Sequence, residues 1–164
     1  MTEMATTPTV DKAQIRADLE RTHAAYRELI SQIPDEKWGA TSGNPAFTCG
    51  QLAWHIASAL DFSAGLIEAA RHGKQTNVPS FLMPLGNKLN VLRIRRGSRR
   101  ATRDSVLADY QRHQARLLRL LDDVADAEFA IVKTNFAITR SVRDMFEIPV
   151  EHLAEHAPDI RSAC

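Results

Sequence analysis

Residues 47–73 read FTCGQLAWHIASALDFSAGLIEAARHG and contain the clearest helix signal in the chain. Thr48 and Gln51 have the spacing of a capping box, in which each side chain accepts a hydrogen bond from the other residue's backbone N–H. Apolar residues then recur every three or four positions, as they do on the buried face of an amphipathic helix. The pair His72-Gly73 is typical of a glycine-terminated helix end. This stretch therefore predicts a helix from Thr48 to about His72.

Three further segments have the same periodicity and lie on both sides of this helix. They cover residues 11–33, residues 102–124 and a stretch from Ser141 to the end of the chain. Pro149 and Pro158 fall inside the last segment, where proline kinks or ends a helix. Four amphipathic helices in one small chain predict an all-α protein, a four-helix bundle.

The connections between these helices differ in length and character. Residues 34–47 are rich in proline and glycine, and Trp38 and Phe47 are expected to close the end of the bundle. Residues 74–100 have no regular pattern, and residues 125–140 resemble strands. We therefore expect a short antiparallel hairpin of the first two helices, followed by a long crossover.

Composition excludes several classes of protein. The 164 residues carry a formal net charge of +1, which predicts no global attraction to nucleic acid or to a membrane surface. Two cysteines give no disulfide framework, and no stretch reaches the roughly 20 apolar residues of a membrane span. We expect a single domain over residues 1–164, with residues 1–9 as a disordered tail, in the cytoplasm. A homodimer is plausible, and neither a nucleic-acid nor a membrane partner is expected.

The histidines are the candidate functional residues. His152 and His156 lie four residues apart, so their rings project from one face of a helix and can share a metal ion. His55 borders the buried face of the second helix, and facing helices are the usual source of metal ligands in a bundle. A lone core histidine is more often structural, however, and spacing alone leaves the helical pair undecided. The remaining histidines, His23 and those at 72 and 113, lie in polar stretches and are expected at the surface.

Two other features have a functional and a structural interpretation. The basic residues between Arg93 and Arg103 could bind carboxylates of a small molecule, although a solvated face is the preferred interpretation. Cys49 lies in the first turn of the second helix, where the helix dipole lowers the pKa of a thiol and where it could line a cavity mouth. A small buried residue is the preferred interpretation there.

Two motifs resemble the DinB-like superfamily. FTCGQLAWHI at residues 47–56 is similar to the start of that family's second helix, and HLAEHAPDI at residues 152–160 is similar to its HxxxHxxQI signature. Trp38, after Ile33-Pro34-Asp35, matches the end of its first helix. The chain departs from the pattern at Pro158 and at Asp159, which stands where glutamine is common.

The resemblance implies an up-down-down-up bundle in which His55, His152 and His156 bind one divalent metal ion, commonly zinc, nickel or iron. Relatives include S-transferases and maleylpyruvate isomerases that use bacillithiol, mycothiol or glutathione. The sequence therefore predicts a metal-dependent enzyme that acts on a small electrophilic molecule, with a low-molecular-weight thiol as a possible cofactor. A metal-binding or stress-response bundle without catalysis is the alternative.

Carboxylates near the three histidines could orient the imidazoles or accept a proton. A solvated helix charge is the preferred interpretation of Glu151 and Glu155, whereas the functional and the structural interpretation stay open for Asp61 and Asp159.

Overall fold

The computed structural model describes residues 10–75 and 82–164. The expected disordered tail at residues 1–9 lies outside this part of the chain. In chain order the helices and strands are α1 (Lys12–Gln32), α2 (Cys49–Arg71), α3 (Met83–Gly97), α4 (Arg103–Asp123), β1 (Val132–Asn135), β2 (Ile138–Ser141), α5 (Val142–Met145) and α6 (Ile148–Arg161). No helix in the described residues has an apolar run long enough to cross a membrane.

Side-chain caps fix the ends of the long helices where the sequence predicts them. The Thr48 hydroxyl accepts a hydrogen bond from the Gln51 N–H at 3.3 Å, and the Gln51 side chain accepts one from the Thr48 N–H at 2.9 Å. Thr102 makes the same reciprocal arrangement with Ser105 at the start of α4. After α2, Gly73 has a φ of +72°, a conformation that costs glycine little because it has no Cβ. These predicted boundaries are confirmed.

The core shows the direction of each long helix. One apolar cluster joins the C-terminal half of α1, the N-terminal halves of α2 and α4, and the C-terminal half of α6. A second cluster joins the opposite halves of the same four helices. Helices α1 and α6 therefore run one way while α2 and α4 run the other, and the predicted up-down-down-up bundle is confirmed.

The predicted hairpin of the first two helices is wrong in one respect. Helices α1 and α2 are antiparallel, but each packs mainly on α4 and α6, so the two face each other across the bundle centre. There the Tyr26 hydroxyl donates to the Ala53 carbonyl at 2.8 Å. The loop after α1 therefore crosses the end of the bundle instead of joining neighbouring helices.

The segment expected to lack regular structure contains α3, so that prediction is wrong for residues 83–97, while residues 76–81 lie outside the described part. Proline at the first turn of a helix loses no hydrogen bond, and Pro84 occupies that position. Leu85 and Leu89 are more than half exposed, whereas Ile94 is buried. The helix thus lacks the wide buried stripe by which periodicity is recognised.

The strand-like character of residues 125–140 is confirmed for β1 and β2, which pair antiparallel from Val132 with Ser141 to Asn135 with Ile138. The two turn residues, Phe136 and Ala137, both have positive φ, as the tight turn of a two-residue hairpin requires.

The last predicted helix is two helices in the structure. Ser141 and Asp144 form the predicted capping box, but it starts the short helix α5. Pro149 lies in the first turn of α6, so it helps to start a helix and does not kink one. Pro158 lies inside α6, which continues to Arg161.

Candidate metal centre

Three histidine side chains meet where α2 packs against α6. His55 comes from the second turn of α2, while His152 and His156 lie one turn apart on α6. The ring centroid of His55 is 5.3 Å from that of His152 and 5.1 Å from that of His156. One nitrogen from each ring can be chosen so that all three lie within 4.8 Å of one another. The structure thus brings together the three residues that the sequence singled out.

Hydrogen bonding leaves ring nitrogens available at this site. His152 Nδ1 lies 3.2 Å from the Ile148 carbonyl, to which it donates, so that Nε2 keeps its lone pair. The Nδ1 atoms of His55 and His156 are buried and have no hydrogen-bond partner in the described part of the chain. Buried polar nitrogens without partners are costly. A metal ion bound by the three rings would offset that cost, so the residues present fit a divalent ion.

Burial keeps two of the three rings, those of His55 and His152, in the neutral form. Burial lowers the pKa of His55 to about 3, assisted by His152, His156 and the positive charge of Arg93. The pKa of His152 is also lowered, first by burial and then by His156. A metal ligand must be the neutral imidazole, because the protonated ring has no free lone pair. His55 and His152 are therefore in the ligand form at neutral pH.

Close packing at the end of the bundle positions His55. The Trp38 indole donates to the Ala101 carbonyl at 3.0 Å and lies against Gly50, where a Cβ would come within 2.6 Å of the indole nitrogen. On the other side, Gly97 of α3 leaves room for the Trp54 ring, which would lie 2.4 Å from a Cβ there. Both contacts fix the first turns of α2. Trp38 packs against the core in which Phe47 is buried, as expected for residues that close the bundle end.

A cavity of about 910 Å³ opens beside the histidines, between α2, α3, the β-hairpin and the start of α6. His55 and His152 form part of its wall. Most of the remaining wall is apolar and includes Phe62, Leu66, Leu85, Leu89, Phe136 and Ile138. The sequence did not predict this cavity, because α3, which forms one of its walls, lies in the segment that shows no regular pattern.

The candidate carboxylates have other partners or lie apart from the rings. Asp61 pairs with Arg116, which also binds Glu68 at 2.7 Å. Glu151 accepts two hydrogen bonds from Arg140, at 3.0 and 2.7 Å. The Asp159 carboxylate lies 3.8 Å from His156 Nδ1, which is too long for a hydrogen bond.

Two expectations for single residues are wrong. His23 stacks on Tyr110 with centroids 5.0 Å apart, and a His113 ring nitrogen lies 3.2 Å from the Ala57 carbonyl. Both rings are half-buried instead of at the surface, whereas His72 is exposed as expected.

Cys49 is fully buried, and burial raises the pKa of its thiol. It does not line the cavity, which agrees with the preferred interpretation of a small buried residue.

The basic residues of α3 and the following turn do not act as one patch. Arg95 donates to the Ala46 carbonyl at 3.0 Å, and Arg103 donates to the Ile30 carbonyl at 3.1 Å. Arg93 faces the cavity, and its guanidinium carbon is 5.7 Å from the centre of the Trp54 ring. One cation of the run thus reaches the candidate site.

Known structures share the fold of this chain. Two solved structures share the fold at 16% sequence identity and a TM-score of 0.72 each. One is YfiT from Bacillus subtilis, described as a probable metal-dependent hydrolase with an unusual four-helix bundle topology; the match covers 99% of this chain and 93% of YfiT. The other is a mycothiol-dependent maleylpyruvate isomerase; the match covers 96% of this chain but 63% of the isomerase.

Curated protein sequences give no match. The sequence pattern of the DinB superfamily matches residues 18–160, which is most of the chain. The protein therefore belongs to the DinB superfamily.

Proposed function

We propose that this protein is a divalent-metal-dependent enzyme that joins a low-molecular-weight thiol to a small electrophile or uses the thiol to isomerise it. The observation that carries the proposal is the meeting of three imidazoles from α2 and α6 beside a large cavity, whose wall includes His55 and His152. His55, His152 and His156 would hold the ion. Zinc, nickel and iron all accept imidazole ligands.

Three protein ligands are typical of catalytic metal sites, because they leave a position for a reacting molecule. A divalent ion in such a site lowers the pKa of a thiol or water that it binds and so supplies a nucleophile near neutral pH. The chain itself orients one of the ligands, because the Ile148 carbonyl accepts a hydrogen bond from the His152 ring. The apolar walls supply a surface against which the apolar part of an electrophile would pack.

The size of the cavity favours a reaction between two molecules. Its volume of about 910 Å³ lies near the upper end of the roughly 300–1,000 Å³ found for small-molecule sites. A thiol and an electrophile can therefore occupy it together. The two similar structures are described with different reaction classes: YfiT as a probable hydrolase, and the second as a mycothiol-dependent isomerase. The space for a second molecule favours the thiol-dependent class here.

Metal analysis tests the first half of the proposal. Protein purified without a histidine tag should contain about one equivalent of a divalent metal, and the His55→Ala variant should lose it. His72→Ala is the matched control, because His72 is an exposed histidine at the end of the same helix. Metal-free wild-type protein, or unchanged metal in the His55→Ala variant, would overturn the assignment.

Turnover assays test the second half. Chlorodinitrobenzene is mixed in turn with bacillithiol, mycothiol and glutathione, and the release of chloride as the thioether forms is followed with the metal-loaded protein. Acceleration with one thiol, lost in the His152→Ala variant, is the expected result. Bound metal without turnover for any thiol would favour the non-catalytic alternative, a metal-binding or stress-response bundle.

A further inference from the structure

We infer that the cavity binds an organic anion with an apolar body, namely a carboxylate attached to an aliphatic or aromatic group, and that Arg93 holds the carboxylate. The inference deepens the proposed function, because it names the class of molecule that would lie beside the three histidines. It rests on the composition of the cavity wall and on the distribution of charge around it.

The cavity wall contains large apolar side chains that are not buried in the protein core. Leu85 and Leu89 of α3 are 55% and 57% exposed, and Ile138 of β2 is 55% exposed. The ring centroids of Phe62 on α2 and Phe136 in the hairpin turn are 5.9 Å apart, and both residues line the cavity. Large apolar side chains that converge on one cavity commonly mark a binding site for an apolar group.

Among the described residues, the charged side chains that line this cavity are paired with an opposite charge, and Arg93 is the exception. Asp61 is paired with Arg116, and Glu151 is held by both nitrogens of Arg140. Among the residues that the structure describes, no carboxylate lies within salt-bridge distance of Arg93. Its only polar contact there is a long hydrogen bond of 3.4 Å to the Asn90 side chain.

Arg93 also stands at the functional end of the cavity. Its guanidinium carbon is 5.7 Å from the centre of the Trp54 ring, and Arg93 lines the same cavity as His55 and His152. A guanidinium over an aromatic face is held in place and keeps donors free for a carboxylate, which it binds through two parallel hydrogen bonds. An anionic head at Arg93 would therefore lie next to the histidines while its apolar body lies against Leu85, Leu89 and Phe62.

The test uses three probes with the same chain: octanoate, 1-octanol and octylamine. Isothermal titration calorimetry measures their binding to the full-length protein, both metal-free and loaded with zinc. We expect octanoate to bind about tenfold more tightly than octanol in both forms, as a charge-assisted pair predicts. Octylamine should bind more weakly than either. Equal affinities for octanoate and octanol, or no binding of any probe, would overturn the inference.

Substitutions test separately how the carboxylate and the apolar chain of the ligand are bound. Arg93→Gln should weaken octanoate binding about tenfold and change octanol binding less than twofold. Arg96→Gln is the matched control, because Arg96 is an exposed arginine of the same helix outside the cavity wall. Leu89→Asn should weaken the binding of both octanoate and octanol. An octanoate preference that survives Arg93→Gln, or that Arg96→Gln removes equally, would contradict the assignment.

The metal-free arm distinguishes this inference from the proposed function. If the protein binds no metal but still prefers octanoate through Arg93, the proposed function fails and the ligand class stands. If the preference appears only after zinc loading and persists in Arg93→Gln, the ion and not Arg93 holds the carboxylate, and the inference fails.

Discussion

The two stacked tyrosines at the bundle centre predict opposite effects for the same substitution. Tyr26 and Tyr110 are fully buried, and their ring centroids are 4.3 Å apart. The Tyr26 hydroxyl donates to the Ala53 carbonyl at 2.8 Å. The Tyr110 hydroxyl is buried without a hydrogen-bond partner in the described residues. Tyr→Phe keeps both rings and their stacking, so it isolates the contribution of each hydroxyl.

The expected magnitudes follow from those partners. Tyr26→Phe removes a satisfied hydrogen bond and should lower the free energy of unfolding by about 0.5–1.5 kcal/mol. Tyr110→Phe removes a hydroxyl whose desolvation costs about 1–3 kcal/mol and which makes no hydrogen bond to offset that cost. The variant should therefore be as stable as wild type or more stable. Burial raises the pKa of both phenols, so both hydroxyls stay protonated at pH 7 and charge does not enter the comparison.

Urea unfolding at pH 7, followed by circular dichroism at matched metal content, measures the difference. The two variants should differ by about 0.5–4.5 kcal/mol, with Tyr26→Phe the less stable and with equal m values. If Tyr110→Phe is destabilised as much as Tyr26→Phe, the hydroxyl of Tyr110 has a partner in solution and the reasoning is wrong.

Two further predictions concern packing and reactivity. Gly97→Ala should destabilise the protein by about 1–3 kcal/mol despite alanine's better helix propensity, because a Cβ would meet the Trp54 ring; Gly65→Ala, where a Cβ meets nothing within 4 Å, should stabilise it by about 0.5–1 kcal/mol. Thermal unfolding measures both, and equal effects would refute the packing argument. Iodoacetamide at pH 8 should modify the exposed Cys164 rapidly and the buried Cys49 only after unfolding, since burial raises the pKa of that thiol. Mass spectrometry of the peptides checks this, and rapid modification of Cys49 would contradict it.

Local signals in the sequence were enough to place helices α1, α2 and α4. Thr48 with Gln51, and Gly73 after α2, act through neighbouring backbone groups, so their pattern can be read without a tertiary structure. The same holds for the spacing of His152 and His156, which one helix turn places on a single face. The contribution of His55 needed the family resemblance, because spacing along the chain does not say which helices face each other.

The elements that form the cavity could not be predicted in this way. Helix α3 exposes leucines and contains Pro84 and Gly86, so neither periodicity nor composition indicates a helix. Its place beside α2 depends on a contact between distant residues, in which Gly97 leaves room for Trp54. Similarly, nothing in the sequence showed that Pro149 starts α6.

The site combines rigid ligands with a less tightly packed wall. His55, His152 and His156 stand on the two long helices α2 and α6, which pack against each other along the bundle core. Most of the apolar wall opposite them belongs to α3 and the hairpin, which hold few buried residues. Elements with few buried contacts open at low free-energy cost, whereas core helices do not. Substitutions in α3 should therefore change which molecule binds without disturbing the histidines, and the Arg93 and Leu89 variants, with metal content as the second readout, examine this separation directly.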